Sequence, residues 1–185
     1  MTTVSGSRVA VISRDAQPAG SSIVVSARLS VSIDEPEAVV DLSSALRRLV
    51  AGAGAAEGTL HVYCGHTTCG LVINEVDPGL DSDMSKVLER LAPHSGHHYY
   101  AHDKLRTADE RLVHGSERDN GHSHARAWIA THPELNIPIT SGALYLGRWQ
   151  AVMLAEFDGP RVRELLVRVH TAVVPIASVL TPHAR

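Results

Sequence analysis

The chain has 185 residues, 44% of them hydrophobic, with Lys+Arg 17 against Asp+Glu 20 and a formal net charge of -3. That length and apolar content fit one domain with one sizeable core, and the slightly acidic balance excludes the basic footprint of a nucleic-acid or anionic-membrane binder. No run approaches the roughly 18–20 uninterrupted apolar residues of a spanning helix, and the start lacks a hydrophobic stretch behind basic residues, so a cytoplasmic protein is expected. Residues 1–20 mix Ser, Thr, Gly, Pro and Ala with little periodicity and read as a flexible N-terminal segment ahead of a domain spanning 21–185. The β-branched run 22–33 closes in alternation on Leu29, Val31 and Ile33, which predicts a strand.

From Asp41 the apolar spacing becomes that of a helix, through Leu42, Ala45, Leu46, Leu49 and Val50, with Asp41 as N-cap and Gly52 beyond the end. Leu60, Val62 and Cys64 then alternate with His61 and Tyr63, and an apolar run at 71–73 follows, which reads as paired strands around a His-Thr-Thr turn. Asp77 and Pro78 open the clearest helix, whose apolar residues Leu80, Met84, Val87, Leu88 and Leu91 form a face that must be buried. The polar stretch 93–121 carries His94, His97, His98, His102 and His114 without sustained periodicity, and so long a connection is either disordered or functional. Beyond it, 123–131 suits a short helix, 136–146 a hairpin, and 149–157 and 162–173 two further strands across the Asp158-Gly159-Pro160 turn. Strands outnumber helices without βαβ alternation, so the expected architecture is α+β, mostly antiparallel sheet with two main helices.

The composition is unusual in having 12 His against Tyr 4, Trp 2 and Phe 1, with the histidines concentrated between His61 and His124. Histidine is the side chain best suited to metal ligation and to proton transfer near neutral pH. One group is His66, Thr67, Thr68, Cys69 and Gly70 followed by Asn74 and Glu75, which supplies an imidazole, hydroxyls, an amide and a carboxylate between two apolar segments. The same residues also suit a polar turn followed by a helix cap. A second group is His122 and His124, with His102 upstream. Histidines two apart face one way only in an extended segment, so these three imidazoles share a metal if the chain is extended there and not from a helix interior. Three imidazoles with an open fourth position is the composition of a catalytic zinc site, and neutral imidazole also suits nickel, cobalt or iron; a solvated His-rich loop is the alternative. A third group, Arg148, Trp149, Gln150 and then Glu156 to Arg161, offers an aromatic wall, an amide and guanidinium groups, or simply a core tryptophan and a charged hairpin. Cys64 and Cys69 fit small core and turn residues in a reducing compartment better than a thiol motif.

These strings in this order, His-Thr-Thr-Cys-Gly-Leu-Val-Ile-Asn-Glu at 66–75, Asp-Pro at 77–78, Asn-Gly-His-Ser-His-Ala-Arg-Ala at 120–127, Gly-Ala-Leu-Tyr-Leu-Gly at 142–147, Trp149-Gln150 and Glu-Phe-Asp-Gly-Pro-Arg at 156–161, resemble the YjbQ family. The resemblance implies a compact α+β fold, a homotrimer, and a polar pocket near subunit boundaries. It also implies the activity of a secondary thiamine-phosphate synthase, which joins hydroxymethylpyrimidine diphosphate to a thiazole phosphate and releases pyrophosphate. On that reading His66, Glu75 and Gln150 are catalytic, Thr67, Thr68, Asn74, Arg126 and Trp149 bind the phosphorylated small molecules, and His102, His122 and His124 hold a divalent metal such as zinc or magnesium. Other readings of the same pocket are a trimeric metal or small-ligand binding protein with incidental catalysis, and a metal-assisted hydrolase using Glu75 or Glu156 as base. The chain departs from the family pattern at Arg148, Ala125, Trp128 and Cys69.

Overall fold

The computed structural model describes residues 2–3, 8–19, 22–105 and 118–172; His114 of the expected polar connection lies outside them. Among the described residues ten strands form two sheets, one of four strands in the order β1-β4-β9-β6 and one of six in the order β2-β3-β10-β5-β7-β8. The strands are β1 (Thr2–Thr3), β2 (Arg8–Ala19), β3 (Ser22–Ile33), β4 (Ala38–Asp41), β5 (Gly58–Cys64), β6 (Cys69–Asn74), β7 (Glu134–Thr140), β8 (Ala143–Leu144), β9 (Ala151–Glu156) and β10 (Arg161–Ala172). All pairings are antiparallel except β1 with β4. Among the described residues the helices are α1 (Ser43–Ala53), α2 (Pro78–Leu91), the short α3 (Ala101–Lys104) and α4 (Gly121–Ala130). The α+β class is as expected, with a third substantial helix, α4, added to the two main ones.

Alternation explains β3 and β10, which pair along their whole lengths and put Leu29, Val31, Leu165, Val167 and Val169 into the main core. That core also takes Leu42, Leu46 and Leu49 from α1 and Val152 and Leu154 from β9. β9 is buried throughout because both its faces are covered: Val152 and Leu154 face the main core, while Ala155, with Phe157 just beyond, packs against Leu88 of α2 and Ala127 of α4.

Several expectations change. Residues 8–19 pair with β3 along its length, so most of the segment read as flexible is a strand. The strands flanking the His-Thr-Thr turn do not pair with each other: β5 lies between β10 and β7, whereas β6 pairs with β9 in the other sheet. The turn at 65–68 therefore passes from one sheet to the other. Asp41 Oδ1 does accept from the Ser43 N–H at 2.8 Å, but α1 runs past Gly52 and ends at Gly54, which has φ 65 and takes the left-handed conformation cheaply. On α2 only Leu88 of the apolar face is buried, while Met84, Val87 and Leu91 remain exposed. Asp77 caps that helix as read, accepting from Leu80 N–H at 2.7 Å.

Candidate functional site

α4 is the centre of the site because its two sides differ. Its start is fixed by Asp103 of α3, whose Oδ1 accepts from the backbone N–H groups of Asn120 at 3.0 Å and Gly121 at 2.8 Å. These are orphan donors of a helix N-terminus, and the carboxylate also complements the positive end of the helix. Gly121 permits the close approach, since a Cβ there would lie 2.5 Å from Tyr100 Cβ. The clamp brings α3 against α4, so that the rings of His102 and His124 stand 4.4 Å apart between centroids, tilted by 57°.

From His124 the helix repeat carries Ala127, Trp128 and Thr131 to the same side, and these residues with His66, Thr67, Cys69, His102 and Pro133 line an open cleft of about 520 Å³. That volume lies within the range of small-molecule sites. His66 is held by the neighbouring strand: its Nε2 lies 3.2 Å from the backbone N and O of Glu164. Trp128 is 91% exposed, an aromatic wall that motif reading missed. A helical period applied from His124 finds it.

His122 does not join this group, which corrects the expected three-histidine set. The segment is helical, so residues two apart point to nearly opposite sides. The His122 ring is buried, its Nδ1 lies 2.9 Å from Ser95 Oγ and its Nε2 3.3 Å from Ser123 Oγ, and it stacks on His94 at 4.1 Å. Burial, aided by the neighbouring His94 ring and the Arg126 charge, lowers its pKa to about 4, so it is a neutral structural imidazole at pH 7.

Arg126 and Thr68 are also committed to the interior. Arg126 is 2% exposed and donates to Ala92 O at 2.9 Å and to the carboxylates of Glu37 and Glu89, so it has no free face for a phosphate. Thr68 Oγ1 accepts from Arg163 Nη2 at 2.8 Å. The same guanidinium pairs with the fully buried Glu156, whose Oε1 also accepts from Asp158 N–H at 2.8 Å, which removes Glu156 as a base in an open cleft.

The remaining expected residues lie elsewhere. Glu75, Trp149 and Gln150 line a second, shallower cleft of about 260 Å³ with Asp41, Arg47 and Arg148, the last stacked over the Trp149 ring at 4.9 Å. Gln150 Oε1 is already used by the Gly147 N–H at 2.8 Å. Asn74 turns its Oδ1 to the Glu75 N–H at 2.9 Å and edges the apolar groove under α2. The sequence group 66–75 is thus divided between clefts.

Two packed sheets with α4 presenting paired imidazoles to an open cleft define an α+β protein. The profile of the family described as "UPF0047 protein YjbQ-like" matches residues 27–172, and the chain belongs to the YjbQ family. A UPF0047 protein of Archaeoglobus fulgidus is 33% identical over 130 residues, covering 70% of this chain and 89% of that one. The YugU protein of Bacillus subtilis is 27% identical over 142 residues, covering 76% and 96%. Among solved structures, a YjbQ/UPF0047 family protein of Clostridium acetobutylicum superposes with a TM-score of 0.63 at 28% identity, covering 77% of this chain and 98% of that one. A hypothetical protein of Aeropyrum pernix gives 0.65 at 26% identity, covering 78% and 96%.

Proposed function

We propose that this chain is a metal-assisted transferase acting on phosphorylated small molecules, of the kind that joins hydroxymethylpyrimidine diphosphate to a thiazole phosphate, with its reaction centred on the cleft of His66, Thr67, His102 and His124. The observation that carries this reading is the imidazole pair of His102 and His124, 4.4 Å apart on the wall of that cleft. Two imidazoles suit zinc, cobalt or nickel better than magnesium, which prefers oxygen ligands. Among the described residues no third His, Cys, Asp or Glu completes a metal-binding group, so within one chain His102 and His124 are the residues that would hold an ion. Held there, a divalent ion would supply positive charge to a departing phosphate. His66, oriented by the Glu164 backbone, holds or moves a proton at its ring, and Thr67 donates to a phosphate oxygen. Trp128 shields one side of the ligand from water. We also propose a homotrimer, which light scattering at micromolar concentration checks by giving three chain masses.

One observation favours a small-ligand binding protein with incidental catalysis: Glu75 and Gln150, expected to do chemistry, line the other cleft, so within one chain His66 is the proton-transfer group beside the imidazole pair. The test is pyrophosphate release from hydroxymethylpyrimidine diphosphate and thiazole phosphate, with and without zinc. Zinc-dependent release, lost in His102→Ala and His124→Ala, supports the transferase. Zinc binding without turnover leaves the binding protein. Release that persists without metal and without both imidazoles overturns the transferase mechanism.

A further inference from the structure

The cleft contains a feature that the proposed reaction does not use. Cys64 is the last residue of β5 and Cys69 the first of β6, and because the intervening turn crosses between sheets the two sulfurs meet across it at 3.5 Å. They are the only cysteines in the chain. Both are buried as free thiols, yet Cys69 also lines the open cleft, which gives a small oxidant a path to the pair. We propose that Cys64 and Cys69 form a reversible dithiol and disulfide couple that reacts with hydroperoxides and sets the position of the loop 65–68 in the cleft.

A disulfide needs the sulfurs about 2.05 Å apart, so they must close by about 1.5 Å. The loop enclosed by the bond carries His66 and Thr67, which line the cleft, and Thr68, which is tied to Arg163. Any contraction between Cys64 and Cys69 is therefore felt at the cleft wall. One thiol, as its thiolate, attacks one oxygen of the hydroperoxide, the O–O bond breaks, and the leaving oxygen departs as water or alcohol after taking up a proton. The other sulfur, 3.5 Å away, then attacks the sulfenic sulfur, the S–O bond breaks, and water leaves with the proton of the second thiol. In sum two thiols are oxidised and one peroxide is reduced.

The test treats the folded, full-length chain with hydrogen peroxide and follows thiol content, intact mass and amide resonances. The expected result is loss of both thiols, a mass lower by two hydrogen atoms within the peptide that spans both cysteines, full reversal by dithiothreitol, and displaced amide resonances for residues 65–68. Cys69→Ser and Cys64→Ser should each lose disulfide formation within the chain, and the one that keeps the attacking thiol should instead gain oxygen at its remaining cysteine. Because these readouts need no metal and no substrate, they stand or fall separately from the proposed transfer reaction. Thiols that survive peroxide in the folded chain, disulfides formed only between chains, or a disulfide that leaves the 65–68 resonances unmoved would each overturn the proposal.

Discussion

The two sides of α4 carry the same side chain to opposite ends. His124 faces an open cleft beside a second imidazole, whereas His122, two residues earlier, is buried among Ser95, Ser123 and His94 at the edge of a separate cleft of about 480 Å³. The enclosed side also holds Arg126, whose guanidinium bridges Ala92 O, Glu37 and Glu89. The lesson is that in this helix residue type does not mark function. Placement does: a polar group whose bonds are made in the interior serves stability, whereas one on a cleft wall faces the space a ligand would fill.

The comparison predicts the largest effect at Arg126. Arg126→Met removes the donor to two carboxylates and one carbonyl, and should cost roughly 3 kcal/mol of stability in urea denaturation. A cost below about 1 kcal/mol would mean that the enclosed side is not what holds α4 in place. Next comes His122, whose depressed pKa has a definite sign. Between its ordinary value of about 6.5 and its folded value of about 4, the unfolded chain binds a proton that the folded chain refuses, so stability present at pH 7 is lost as pH falls through this window. The expected loss is on the order of 2 kcal/mol, read by denaturation at pH 7 and pH 4. In His122→Gln the part of the pH slope due to this residue should vanish; an unaltered slope would contradict the burial argument. Gly121→Ala should cost about 1–2 kcal/mol, because the new Cβ meets Tyr100 and pushes α3 from α4. It should also weaken zinc binding, as the His102 and His124 rings separate. The smallest stability change is expected for His124→Ala, within about 0.5 kcal/mol by the same denaturation.

Much of the framework was legible because local chemistry decided it. The bounds of α2 follow from Asp77, Pro78 and the apolar spacing, and those of β3 from its alternation. What was not legible depends on distant residues. The carboxylate that fixes Arg126, Glu37, is 89 positions away, and the partner of Thr68, Arg163, is 95 away. Nothing near either residue reveals that its bonds are already made. The pairing of β5 and β6 was misread because adjacency in sequence suggests a hairpin, while the turn between them crosses sheets. The histidine set went wrong at one physical point: the helix expected from 123 begins at Gly121, where Asp103 clamps its N-terminus, so that His122 and His124 both lie within it. The family resemblance did better, because an ordered series of motifs encodes the fold as a whole.

The central claim is that the cleft side of α4, and not the enclosed side, takes the ligand. Zinc titration into chelator-treated, untagged protein tests it most directly, comparing the parent chain with His124→Ala and His122→Ala, each first shown to be folded by circular dichroism. The account predicts binding by the parent chain and by His122→Ala, and its loss in His124→Ala. Retention in His124→Ala with loss in a folded His122→Ala would contradict it.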